Sequence, residues 1–222
     1  MTLPEKEETS KTRKIPAKSR NSARTKEDII QVAIQEFSEK GFLGARVESI
    51  AKLANVNMRM IYHYYESKEK LYISTLERVY RDVRESELNL QIEDMRPELA
   101  IRTLIRFTFD HFQKHPELIN LVMGENLLRA KYVKQSDLVP TMSERLQGLI
   151  GMILDRGKES GNFRKDIDAG QFWFTLFSLC WVPVSNMHTM SWSLQCDLSN
   201  NEWKEKRKIH IEDMLLHYLS VF

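Results

Sequence analysis

The chain has 222 residues, of which 42% are hydrophobic and 29% charged, the balance of an ordinary globular protein of one or two domains. Eight glycines and six prolines, with apolar residues recurring at helical spacing nearly throughout, indicate an all-α protein and leave no P-loop or Rossmann turn. The net charge is only +2, and two cysteines without CxxC or zinc spacing, Cys180 and Cys196, fit a reducing cytoplasm better than a disulfide framework.

Met1–Glu8 has no apolar stretch, so no secretory signal is expected. Residues 11–26 hold seven basic residues and no acidic one, while the chain beyond residue 26 carries 25 basic against 28 acidic residues. Residues 1–23 therefore read as a basic, disordered arm. Such an arm serves either solubility or phosphate contact beside a folded domain.

The first helix is expected from Thr25, where Thr25-x-x-Asp28 has the form of a capping box, with Ile30, Ala33, Ile34 and Phe37 as its apolar stripe. Gly41 is placed to end it, since glycine takes a left-handed position at little cost. A second helix follows over Val47–Ala54, with Val47, Ile50, Ala51 and Ala54 inward. In the turn Asn55-Val56-Asn57, Asn55 tolerates the left-handed region and Asn57 can cap the next helix. That helix, Met58–Tyr65, is barely two turns long.

A helix, a three-residue turn and a short helix packed on a preceding one describe a helix-turn-helix. With Ile61 as its anchor, Met58, Arg59, Met60, Tyr62 and His63 face outward. Arginine can fork onto guanine, methionine can touch a thymine methyl, and tyrosine or histidine can reach base edges or phosphates. The same spacing also suits a small helical hairpin whose tyrosines are half-buried.

Gly41-Phe42, Val47, Ile50-Ala51, Val56, Tyr62-His63-Tyr64-Tyr65 and Ser67-Lys68-Glu69-Lys70-Leu71 stand in the order and spacing of a known pattern. Over Arg24 to about Tyr72 the chain resembles the TetR family of transcriptional regulators. The resemblance implies a homodimeric repressor with an N-terminal DNA-binding domain and a helical C-terminal domain for ligand and partner subunit. It carries DNA contact onto Arg24, Arg46, Met58, Arg59, Met60, Tyr62, His63 and Lys68. Ala45-Arg46 replaces the family's usual threonine at the second helix, so a hydroxyl cap and phosphate contact is lost, although Arg46 could hold a phosphate instead. Met58 stands where lysine is frequent. Lys68, at the N-terminus of the fourth helix, is expected on a phosphate; the alternative is a solvated lysine after the Ser67 cap.

The remainder reads as long helices, about nine in the whole chain, over a domain from 71 to 222 that follows a DNA-binding domain at 24–70. Tyr72, Leu76, Val79, Tyr80 and Val83 stripe the fourth, and Pro97 and Pro116 stand at first-turn positions of the next two. Ile101, Leu104, Ile105, Thr108 and Phe112 mark one of these, and Ile119, Val122, Met123, Asn126 and Leu127 the other. Leu146, Leu149, Ile150, Ile153 and Leu154 mark a helix that ends near Gly157–Gly161, and Ile211, Met214, Leu215, Tyr218, Leu219 and Phe222 mark the last. Phe172–Val184 is broken by Thr175, Ser178 and Pro183 and is too short to span a bilayer, so no membrane partner is expected. It suits burial at a dimer seam or in the monomer core. "RFTFDHFQKHPELINLV", "GENLLRA" and "SNMHTMSW" resemble one branch of the same family.

Phe107, His111, Met123, Asn126, Arg129, Trp173 and Phe177 are the candidates for orienting a small-molecule effector in a mostly apolar pocket. His111 and His115 have metal-ligand spacing but no acidic or thiol companion, so a surface or pocket pair competes with a metal reading, and no metal or cofactor is expected. No catalytic constellation is present, and an enzyme is not expected. Two functions stay open: a cytoplasmic, ligand-responsive repressor that binds double-stranded DNA at a palindromic operator as a homodimer, or a helical small-molecule-binding or interaction protein without sequence-specific DNA binding.

Overall fold

Gly41, at φ 66 and ψ 174, breaks the first helix of the chain, as its lack of a Cβ allows. The computed structural model describes residues 17–221. The first helix, α1 (Ala17–Gly44), includes that kink. It begins eight residues before Thr25, so Thr25 lies inside the helix instead of capping it. No glycine or proline follows Pro16 in this stretch, and Ser22 Oγ reaches the Tyr64 hydroxyl at 3.2 Å, which ties the early turns to the fold. Of the basic arm expected over residues 1–23, residues 1–16 lie outside the described range.

Two short helices follow, α2 (Val47–Leu53) and α3 (Met58–Tyr65), then the long α4 (Lys68–Leu88). Next come α5 (Pro97–Lys114) and α6 (Pro116–Leu127), both with proline in the first turn, and a 3-10 turn at Val133–Gln135. The remainder comprises α7 (Leu138–Glu159), α8 (Ala169–Ser185), α9 (Met187–Ser193) and α10 (Asn201–Leu219). The described residues thus hold ten α-helices, against about nine expected. The addition is α9, seven residues set off from α8 at Asn186.

α1 packs on α4 and α6, and α5 on α8 and α10. The first unit is centred on Ile29, Ala33, Phe37, Ile50 and Ile61, all at or near complete burial, and continues through Leu71, Tyr72 and Leu76 of α4 into the second. α5 buries Ile101, Leu104, Ile105, Thr108 and Phe112, as its stripe predicts. α6 is rotated from expectation. Leu118, Ile119, Leu121 and Glu125 face inward, and Met123, Asn126 and Leu127 are exposed. The cause is Glu125, whose carboxylate accepts the backbone amides of Tyr132 at 3.0 Å and Val133 at 2.9 Å. Those charge-assisted bonds draw a polar residue into the core side of the helix. α10 buries Ile211, Leu215 and Leu219 and leaves Met214 and Tyr218 exposed. Its buried Glu212 binds Arg102 and Arg106 of α5. No helix among the described residues is long and apolar enough to cross a membrane.

Candidate functional site

The helix-turn-helix is assembled around three local devices. Glu36 of α1 is buried, yet its carboxylate accepts the Arg46 amide at 3.2 Å, the Ser49 hydroxyl at 3.0 Å and the Lys40 ammonium at 2.7 Å. Burial opposes its ionised form, but these three donors hold its carboxyl below the usual value. The start of α2 is thereby fixed to α1. Asn55 takes the left-handed turn position at φ 53. Asn57 then caps α3, its side-chain oxygen accepting the Met60 amide at 2.9 Å.

α3 is anchored from within by Ile61, 1% exposed, and from its end by two tyrosines. Tyr65 Oη donates to the Lys26 carbonyl at 3.1 Å, and Lys26 Nζ lies 5.3 Å above the Tyr64 ring. Burial, then the nearby Glu27 charge, pushes the Tyr65 hydroxyl up to about 12, so it remains a donor at neutral pH. The aromatic end of α3 therefore serves attachment. Its free face consists of Arg59, Tyr62 and His63, all exposed, with Met60 half-buried. Met58 is half-buried too and packs against the core instead of pointing fully outward. Arg24 and Arg46 are exposed on α1 and at the start of α2. Lys68 points inward: its ammonium donates to the Ala45 carbonyl at 2.5 Å and lies 4.8 Å above the Phe42 ring.

The second half of the molecule holds a cavity of about 230 Å3 between α4 and α7, walled by Leu88, Leu138, Met142 and Leu149. Arg81, Arg84 and Arg145 line it with Glu85 and Glu87. Arg84, Glu87 and Leu146 also border a small void beneath it that touches Thr108, Phe112, Trp173 and Phe177. Arg84 Nη1 pairs with Glu87 Oε2 at 2.5 Å, and both side chains are nearly buried. Burial outweighs that pairing and pushes the Glu87 carboxyl up to about 7. A separate polar cleft of about 400 Å3 lies between Gln31 and Ile34 of α1, Asp82 and Ser86 of α4, and His111 and His115. His111 is pushed down to about 4 by burial and then by His115, so it is neutral at pH 7.

Residues 29–75 match the family model for bacterial regulatory proteins of the tetR family, and residues 97–215 match the tetracyclin repressor-like C-terminal domain. The chain is 36% identical over 208 residues to the HTH-type transcriptional repressor NicS of Pseudomonas putida, covering 94% of this chain and 98% of that one. The chain belongs to the TetR family. It is thus a helix-turn-helix, DNA-binding transcriptional regulator. Its fold is similar to a tetR-family regulatory protein from Rhodococcus, with TM-score 0.71, 14% identity and coverage of 90% of this chain and 98% of the other. It is also similar to the transcriptional regulator FadR from Bacillus subtilis in complex with stearoyl-CoA, with TM-score 0.66, 20% identity and coverage of 87% and 98%.

Within this TetR chain the residues singled out for DNA lie on or between α1 and α4: Arg24, Arg46, Arg59, Tyr62 and His63 are exposed, Met58 and Met60 are half-buried, and Lys68 is turned inward. The residues singled out for ligand do not converge. Trp173 and Phe177 meet with ring centroids 5.4 Å apart, and Phe107 stacks near His111 at 5.2 Å, but Met123, Asn126 and Arg129 are exposed and border neither cavity. The sequence did not single out Glu36 or the Arg84–Glu87 pair. For Glu87 a signal existed: Leu76, Val79 and Val83 place the next inward position of α4 at residue 87, where a carboxylate stands.

Proposed function

We propose that this protein is a homodimeric repressor whose α3 enters the major groove of a palindromic operator and whose affinity for DNA is lowered by a small molecule held in its C-terminal half. The observation that carries the reading is the free face of α3. Arg59, Tyr62 and His63 stand exposed on a helix fixed from behind by Ile61, Tyr64 and Tyr65. Such a face offers a guanine fork and two hydrogen-bonding rings at one edge. Arg24 and Arg46 flank it as phosphate contacts, and Lys68 retains donors beyond the one given to Ala45.

Dimerisation is supported by the outer faces of α8 and α10. Phe174 and Val182 on the first, and Met214 and Tyr218 on the second, are exposed apolar residues opposite a buried face on the same helix. A small-molecule effector is supported by the cavity between α4 and α7, and FadR, in complex with stearoyl-CoA, supports a fold able to hold one. A gel-shift with the DNA upstream of the protein's own gene, alongside light scattering of the free protein, tests the reading. A dimer that retards this DNA more strongly than a random duplex supports it. A monomer at micromolar concentration, or equal retardation of both duplexes, overturns it.

A further inference from the structure

We infer that the cavity between α4 and α7 takes a compact apolar or aromatic monocarboxylate, held by Arg84 with Arg81 and Arg145. The inference rests on reading that cavity as the effector site. Leu88, Leu138, Met142 and Leu149 supply walls suited to a hydrocarbon body. About 230 Å3 is below the ~300–1,000 Å3 of sites for drug-sized ligands, so the occupant is small.

Charge selects the other end of the ligand. Three arginines face two carboxylates in this lining. Arg81 and Arg145 form no ion pair with any described residue and stand exposed at the rim. Arg84 is different. Its side chain is only 11% exposed, its Nη1 is taken by Glu87, and its buried Nε has no hydrogen-bond partner. A buried guanidinium donor left unpaired is costly, and a planar carboxylate is the acceptor that matches its fork. Glu87 does not repel such an anion in full, because burial raises its carboxyl to about 7 and so favours a proton there near neutral pH. A ligand cation would meet the same three arginines; of the two carboxylates in the lining, Glu87 is already engaged by Arg84 and Glu85 stands exposed to solvent.

The test uses the full chain and a panel of aromatic and aliphatic monocarboxylates of benzoate to decanoate size, each with its primary amide and primary amine counterpart. Binding is read by calorimetry and by thermal shift. At least one acid is expected to bind with its amide and amine weakened about tenfold or more, as loss of a charge-assisted contact implies. Arg145→Ala and Arg81→Ala, at exposed positions whose loss leaves the core intact, are each expected to weaken that acid and to leave the unliganded melting temperature unchanged. Amines or amides binding as well as acids, no acid binding at all, or full affinity in both arginine variants overturns the inference. Operator binding by the unliganded protein is measured separately, so failure here leaves the DNA reading standing and failure there leaves the ligand result intact.

Discussion

Lys68 Nζ donates to the Ala45 carbonyl at 2.5 Å, which joins the first residue of α4 to the turn that opens α2. The same ammonium covers Phe42, whose ring stands 5.2 Å from that of Tyr72 on α4. These contacts tie the start of α4 to the turn before α2. The lysine has three donors, so a bond to Ala45 leaves others for a phosphate.

Lys68→Met separates these two uses. Loss of the bond to Ala45 should lower unfolding free energy by roughly 1–3 kcal/mol in urea. Loss of a phosphate contact should weaken specific and random DNA alike and make the slope of log affinity against log salt shallower by ~0.9. A stability loss with an unchanged salt slope assigns Lys68 to the joint alone.

Gly157 sets the close packing of α7 on the chain that follows. A Cβ built there would fall 1.9 Å from the Phe163 ring, which is itself buried. Phe163 cannot simply swing out, because Arg164 donates its amide to Leu219 at the end of α10. Gly157→Ala should therefore destabilise by about 1–3 kcal/mol despite alanine's better helix propensity. A neutral or raised melting temperature would contradict this packing.

Glu87 gives a pH signature. Its folded-state value of about 7 lies above the ordinary 4.5, so the folded protein binds this proton more tightly. The contribution to stability is complete below about pH 4.5 and is lost as pH rises through about 7. A rise of that size corresponds to roughly 3 kcal/mol. Glu87→Gln removes the titration, so wild type should lose stability relative to the variant between pH 5 and 8 in urea denaturation. His111 acts with the opposite sign, supplying stability above about pH 6.5 that fades toward 4, but it is common to both proteins and cancels in the difference. A wild-type-minus-variant difference that is flat with pH would count against a buried, proton-favouring Glu87.

Phe174 of α8 is 62% exposed, on a helix whose opposite side buries Phe172, Leu176 and Cys180. Phe174→Arg should leave the far-ultraviolet circular dichroism unchanged, convert the protein to a monomer in light scattering and weaken operator binding by far more than it weakens stability. Retention of a dimer would move the interface away from α8.

Much of the fold was legible because it is written in local signals. Pro97, Pro116, Asn57, Ser67 and Gly41 mark helix ends through chemistry that depends on few neighbours. The stripe of α5 holds for the same reason. The face of α6 was misjudged because Glu125 is drawn inward by the amides of Tyr132 and Val133, a tertiary contact that periodicity does not contain. The start of α1 was placed too late because Ser22 and Lys26 gain partners on α3, thirty-eight or more positions away in the chain. The inward Ile61 and the exposure of Arg59, Tyr62 and His63 were readable from two turns of helix, whereas Met58 and Met60, expected outward, are half-buried. The cavity was not, because its walls come from α4 and α7, and only the folded chain brings Arg84 and Arg145 together.

Fluorescence anisotropy of labelled duplexes tests the central claim, sequence-specific DNA binding through α3, most directly. Wild type and Arg59→Ala are titrated against the upstream region of the protein's own gene and against a random duplex at one fixed salt concentration. Wild type should prefer the upstream duplex. Arg59→Ala should lose about 1–3 kcal/mol on that duplex and far less on the random one, so that the preference narrows while fold and dimer persist. Equal losses on both duplexes, or a wild type without preference, would contradict readout by α3.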